Sequence, residues 1–281
     1  MTSKCDLNQM NKLIGGHVSI AGGIDLAPER ASSFGFNTLQ VFVKSNLQWK
    51  YKEITDEEST GFRENVKKYN LKKPVVHATY LLNFGSDNSE LIQKSIDDIK
   101  YEIKVCNEIG VENLVLHPGS NSDKKHAMAS IMELLNSLET GKVSLLIENS
   151  SGKGNTIPAT VDEMEYMMSV SSNKIGICLD TCHFFSEGYD IKDRYEESME
   201  LLKSSGVLKH IGALHINDSM FAVSSKKDRH ENIGKGYIGD KGFSNIVNDN
   251  SFNNIPMIME TPDGDEYYSK NLEKLESMLV R

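Results

Sequence analysis

The sequence predicts an α/β chain that closes as one (β/α)₈ TIM barrel, a single domain over residues 1–281. Three observations carry this expectation. Short runs rich in Val, Ile and Leu recur eight times, with helical stretches between them. Most of these runs are near-continuously apolar, as parallel strands covered on both faces must be. No glycine-rich phosphate loop opens the first helix, which argues against the competing doubly wound sheet. At 281 residues and 38% hydrophobic content, the chain can bury one large core.

The runs come in order. "IGGHVSI" starts at Ile14, "NTLQVFV" at Asn37, "PVVHATY" at Pro74 and "NLVLHPG" at Asn113. "VSLLIEN" follows at Val143, "IGICLDT" at Ile175, "HIGALHI" at His210 and "IPMIMET" at Ile255. The clearest helix between them runs from Ser89 to Glu108. Its apolar positions Ile92, Ile96, Ile99, Ile103 and Cys106 fall three and four apart, one face of a helix, with Gly110 as its stop. Asp193 to Gly206 reads the same way, with Tyr195, Met199 and Leu202 on one face. Strict alternation of strand and helix implies βα units, and eight units imply a closed barrel.

Six of the eight runs end in a metal-type ligand: His77, His117, Glu148, Asp180, His215 and Glu260. In such a barrel all these ends meet on one face, where barrel active sites lie. His183 follows the sixth run, and Asp228 and His230 lie on the long segment after the seventh. Taken singly, a buried histidine is more often a hydrogen-bonded core residue, and a carboxylate at a strand end more often a helix cap. Together they resist that explanation, because four carboxylates crowded on one face repel unless cations neutralise them. Imidazole with carboxylate suits Zn²⁺, with Mn²⁺ or Fe²⁺ as alternatives. His17, His126 and His210 are assigned ordinary structural roles, His17 least firmly because it too sits on a strand. Within "ICLDTCHFF", Cys178 and Asp180 share one strand face, so Cys178 fills the barrel interior while Asp180 emerges at the rim. Cys178 and Cys182 lack the Cys-x-x-Cys spacing of zinc knots and read as structural.

The stretches "GGHVS", "HATYLLN", "LHPGS", "LIENSSGKG", "CLDTCHFFSEGYD", "LHINDS", "DRHENIGKGYIG" and "METPD" resemble, over nearly the whole chain, endonuclease IV, the family of apurinic/apyrimidinic-site DNA repair endonucleases. The resemblance implies three divalent metal ions, usually zinc. His77 and His117 would hold the first, and Glu148 would bridge it to a second completed by Asp180, His215 and Glu260. His183, Asp228 and His230 would hold the third. It also implies cleavage of duplex DNA on the 5′ side of an abasic sugar, leaving a 3′-hydroxyl and a 5′-deoxyribose phosphate. Glu148 is then the catalytic residue. Tyr80 and Leu81 match residues that enter the minor groove at the lesion, as apolar wedges do when they unstack a base step. Gln48 and Arg229 are further expected DNA contacts, and Asn217 and Ser219 could position phosphate. One departure stands out: "KSNLQWK" has Leu47 where the family commonly carries an inserting arginine before Gln-Trp.

A formal net charge of −9 is unpromising for a nucleic-acid binder, but three divalent cations would offset six of those charges. Lys124–Lys125 and Lys226–Lys227 with Arg229 supply local positive charge near the expected mouth. The expected partner is double-stranded DNA with abasic sites, met by a monomer. Two alternatives compete: a metal-dependent sugar isomerase or epimerase on the same barrel, and a damage-binding protein without activity. The polar start "MTSKCDLNQMNK" lacks the apolar core of a signal peptide, and no run is long enough to span a membrane. With four cysteines of irregular spacing, this predicts a reduced, intracellular protein, in nucleus, cytoplasm or virion alike.

Overall fold

The structure, a computed structural model, describes residues 7, 10–172 and 174–280. Cys5 and most of the polar start lie outside the described residues. Seven strands run in order: β1 (Leu13–Gly16), β2 (Gln40–Phe42), β3 (Val75–His77), β4 (Asn113–Leu116), β5 (Ser144–Glu148), β6 (Ile175–Asp180) and β7 (Ile211–His215). Then β8 (Asp218–Ser219) and β9 (His230–Glu231) pair antiparallel as a small ribbon, and β10 (Pro256–Met259) returns to the main sheet. The eight-stranded sheet has the order β1-β10-β7-β6-β5-β4-β3-β2, all parallel. A parallel bridge between His17 and Gln40 closes the remaining seam between β1 and β2. All eight predicted runs are barrel strands, and the expected barrel stands.

The helices are α1 (Ala27–Ser33), α2 (Asp56–Lys68), α3 (Ser89–Ile109), α4 (Lys124–Ser137), α5 (Val161–Ser169), α6 (Thr181–Glu187), α7 (Tyr195–Ser204), α8 (Gly239–Asn248) and α9 (Asp265–Met278). In α3 the predicted apolar face is the packed one: Ile99, Ile103 and Cys106 are buried. It stops at Gly110, whose φ of 73° puts it in the left-handed cap conformation that glycine adopts without strain. The predicted 193–206 helix is α7. Beyond expectation, the turn after β6 is itself a short helix, α6, capped by the Asp180 carboxylate accepting from the His183 amide at 2.7 Å.

Two apolar layers hold the barrel. The larger lies between the strands and the outer helices. The smaller is the lumen, a separate cluster of Val75, Val115, Leu146, Cys178, Ala213 and Ile258, one from each of six strands. Cys178 therefore packs inside, as its place in the strand predicts, and Cys106, Cys178 and Cys182 are all free thiols.

Candidate metal centre

Each lumen residue determines what stands above it. Side chains alternate along a strand, so the residue two positions on points the same way. Two positions after Val75, Val115, Leu146, Cys178, Ala213 and Ile258 come His77, His117, Glu148, Asp180, His215 and Glu260. Parallel register then levels these six; Asp180, for example, pairs directly with His215. The barrel thus delivers all six side chains to the rim of its lumen, at the C-terminal ends of the strands.

Glu148 is the hub. Its Oε2 lies 3.1 Å from His77 Nε2 and 3.4 Å from His117 Nε2, and its Oε1 lies 3.2 Å from His215 Nδ1 and 3.3 Å from His183 Nδ1. Asp228 and His230 arrive from the ribbon segment. Asp228 Oδ1 is 3.2 Å from His183 Nε2, and His230 Nε2 is 3.6 Å from Asp180 Oδ2. All nine expected residues are therefore brought together. Three compact groups recur among them: His77, His117 and Glu148; Glu148, Asp180, His215 and Glu260; and His183, Asp228 and His230. Within each, the candidate ligand atoms lie within 4.8 Å of one another.

The histidines are oriented from behind. His77 Nδ1 bonds the Ala78 carbonyl at 2.7 Å, His183 Nδ1 the Asn149 carbonyl at 2.9 Å, and His230 Nδ1 the Glu260 carbonyl at 3.0 Å. A carbonyl only accepts, so in each ring that nitrogen carries a proton, and Nε2 is the nitrogen turned toward the cluster. His215 Nδ1 and His230 Nε2 are buried without a hydrogen-bond partner among the described residues. Buried, bare imidazole nitrogens facing carboxylates are the donor set a divalent metal takes.

Electrostatics agree. Burial alone would raise the Glu148 carboxyl, but the surrounding imidazoles of His117, His215 and His183 hold it well below its ordinary value. Burial would lower His183, yet Asp180, Asp228 and Glu148 lift it well above the ordinary imidazole range. The hydrogen bond to His183 brings Asp228 down to about 2. The carboxylates thus pull cationic charge into a buried space.

Above this cluster opens a cleft of roughly 750 Å³, lined by Tyr80, Leu81, His117, Ser151, Lys153 and Asp228 among others. Tyr80 stands at its rim, half-exposed, its ring edge-on to His77 with centroids 5.3 Å apart. Leu47 on the loop after β2 is 69% exposed, Leu81 is half-buried, and Gln48 and Arg229 are exposed. The two loops are joined: the Asn46 carbonyl accepts from Thr79 Oγ1 at 2.8 Å and from the Tyr80 amide at 3.2 Å.

Other expectations resolve differently. Asn217 is fully buried: its Nδ2 donates to Asp180 Oδ2 at 2.7 Å, and its Oδ1 accepts from the Glu260 amide at 2.7 Å. It holds two cluster residues in place and cannot reach a phosphate. Ser219, also buried, donates to the Phe221 carbonyl. Lys124 pairs with Glu163 at 3.0 Å and Lys226 with Glu187, so both basic pairs are partly committed within the protein. Cys182 donates to the Arg229 carbonyl at 3.6 Å, and burial pushes its thiol up to about 12. His126 and His210 stand away from the cluster, at the start of α4 and before β7. His17, by contrast, reaches it, with Nδ1 3.3 Å from Glu260 Oε1.

Asp218 escaped sequence reasoning. Its buried carboxylate accepts from the amides of Ser219, Gly234, Gly236, Ile238 and Gly239. At Gly236 an added Cβ would come within 2.4 Å of the Ser219 carbonyl oxygen, so only glycine fits. The glycine-rich stretch "NIGKGYIGD" was the available signal, since close backbone approach needs such residues.

Compared with known proteins, residues 28–278 match the family described as xylose isomerase-like TIM barrel. A protein named probable endonuclease 4, from Thermoplasma volcanium, is 41% identical over 266 residues, 95% of either chain. The chain belongs to the endonuclease IV family. The crystal structure of endonuclease IV from Thermus thermophilus superposes with a TM-score of 0.86 at 29% identity, covering 95% of this chain and 98% of that one. At 18% identity, a D-tagatose 3-epimerase-like protein shares the fold, with a TM-score of 0.71 over 95% and 96% of the two chains. Within the endonuclease IV frame, the clusters at the barrel mouth are groups that could hold metal ions. No described helix is long and apolar enough to cross a membrane.

Proposed function

We propose that this endonuclease IV family member is a metal-dependent DNA repair nuclease that hydrolyses the phosphodiester on the 5′ side of abasic sites in duplex DNA. The products are a 3′-hydroxyl and a 5′-deoxyribose phosphate. The observation that carries the reading is the convergence of bare imidazole nitrogens and four carboxylates at the floor of an open cleft. Three divalent ions fit this donor set: one on His77, His117 and Glu148; one on Glu148, Asp180, His215 and Glu260; one on His183, Asp228 and His230. Zn²⁺ suits it best, with Mn²⁺ or Fe²⁺ as alternatives. Such ions supply activation of water at neutral pH and stabilisation of the charge that develops on the leaving oxygen.

The chain's own residues do the rest. Glu148, touching four imidazoles, sets the spacing of the first two groups and is the residue on which catalysis turns. Asp180 and Asn217 tie the ribbon ligand His230 to the barrel ligands, so the third group keeps its place relative to the others. Tyr80, Leu81 and Leu47 present apolar surface to an unstacked sugar, while Gln48 and Arg229 meet the backbone around it. One protomer contains every group named, so the reading is of a monomer.

The test is incubation of the purified protein with a duplex carrying one abasic site, with and without prior chelation. Metal-dependent nicking on the 5′ side is expected, and intact duplex should survive. Turnover of ketoses without nicking would replace this reading by an epimerase. Tight abasic-duplex binding with no nicking at any metal loading would replace it by a damage-binding protein.

A further inference from the structure

Gln40 is outside the nine-residue set and fully buried. Its backbone bridges to His17 and closes the barrel. Its carboxamide reaches under the metal centre. The amide oxygen accepts from His215 Nε2–H at 2.9 Å, and the amide nitrogen donates to Glu260 Oε1 at 2.7 Å and to His17 Nδ1 at 3.0 Å. Charge excludes the reverse orientation, which would set the amide oxygen against the Glu260 carboxylate, two acceptors without a proton between them. Glu260 thus orients the amide, and the amide in turn selects the tautomer of His215. With a proton on Nε2 committed to Gln40, the neutral ring of His215 presents Nδ1 as its free lone pair, 3.2 Å from Glu148 Oε1 and 3.4 Å from Glu260 Oε2. Glu260 is divided in the same way. Its Oε1 is taken by Gln40, and its Oε2 faces His215 Nδ1 at 3.4 Å.

We propose that Gln40 is a positioning residue for the metal centre. It keeps His215 Nδ1 bare and Glu260 Oε2 turned toward the ion that these two residues, Glu148 and Asp180 would share. The inference rests on the metal-centre reading above. It places the barrel's closing bridge, made by the backbone, and the fit of that one ion, set by the side chain, on a single residue.

The test uses the full chain loaded with zinc. Release to a chromophoric chelator is followed for the parent, Gln40→Met and Gln40→Glu, with circular dichroism to check folding. Gln40→Met keeps bulk and removes the hydrogen bonds; Gln40→Glu keeps an acceptor for His215 and sets a second anion against Glu260. One release phase is expected to quicken by about 10–100-fold in both variants, the rest staying as in the parent. A purely packing role would lower the melting temperature and leave every release phase alone; that result overturns the inference. An independent reading needs no variant: ¹⁵N-histidine NMR of the zinc-loaded parent should find the His215 proton on Nε2, and a proton on Nδ1 overturns the inference even if both variants fail to fold. A parent that takes up no divalent metal overturns the metal-centre reading and this inference with it. A metal-loaded parent with an unchanged phase in folded Gln40→Met overturns only the role of Gln40.

Discussion

Four imidazoles converge on the two oxygens of Glu148, at 3.1 to 3.4 Å. Of the three ligand groups that the resemblance implies, it alone belongs to two, and through His183 it touches the third. Glu148→Gln keeps the shape and removes the charge. Single-turnover cleavage should fall by roughly two to three orders of magnitude, the scale of losing a preorganised electrostatic contact, while abasic-duplex affinity changes little. A loss confined to affinity would show the assignment to be wrong. The ligands themselves were legible in the sequence because strand periodicity is strict: an apolar lumen residue and a metal-type residue stand two apart on six strands. Gln40 and Asn217 were not legible in the roles they take. An amide carries no spacing signature, and what it does depends on partners distant in the chain.

Loops and short elements follow different rules from strands. The T-x-x-E starts of α2 and α5 form capping boxes, Thr55 with Glu58 and Thr160 with Glu163, a local pattern readable from four residues. The ribbon of β8 and β9 is not readable in that way: two residues on each side pair across the segment 220–229, and no hydrophobic alternation marks them. What organises the region is Asp218. Asp218→Ala should destabilise the protein by about 3 kcal/mol or more, since several buried amides lose a charged acceptor together. Limited proteolysis should then cut first within 220–239; a variant as resistant as the parent would refute this. Leu47 belongs to the loop after β2, at 69% exposure. Leu47→Ala should weaken binding to abasic duplex by about 1–3 kcal/mol, the apolar surface it would bury on the lesion, and leave cleavage of bound substrate nearly intact. Equal binding by a normally folded variant would mean that the lesion is read without Leu47.

Across the whole molecule, side chains from six strand ends share one charged centre, so metal binding and barrel stability are linked. Chelation should abolish nicking and lower the melting temperature together, through a stability loss of about 2.7 kcal/mol for each site held at a hundredfold excess over its dissociation constant. Full activity after metal removal, verified by elemental analysis, would exclude the three-metal reading. The gap should also depend on pH. In the metal-free protein His183 and His215 bind protons more tightly than ordinary imidazoles. Their folded values lie above the unfolded ones, so the stability they contribute is complete below about pH 6.5 and is lost as pH rises through the raised values. Metal needs those nitrogens bare. The difference in melting temperature between loaded and metal-free protein should therefore widen as pH rises above neutrality. The barrel was legible at this scale because eight apolar runs each had room for a helix between them. The closing seam was not, because a single bridge leaves no pattern in composition.

The shared carbonyl of Asn46 has a consequence for the thermodynamics of recognition. It fastens the loop bearing Leu47 to the loop bearing Tyr80, and Lys44 braces the first from below by donating to the Gln48 carbonyl at 3.0 Å while pairing with buried Asp98 on α3. The two loops are then one wall, ordered when the chain folds and not when DNA arrives. Conformational entropy that a pair of free loops would lose at the encounter has already been lost. Leu47 and Tyr80 become energetically coupled, so the effects of altering both would not add. On the proposed reading, a surface built in this way would select its ligand by shape, because a duplex with its bases fully stacked offers no gap for a wall that does not yield.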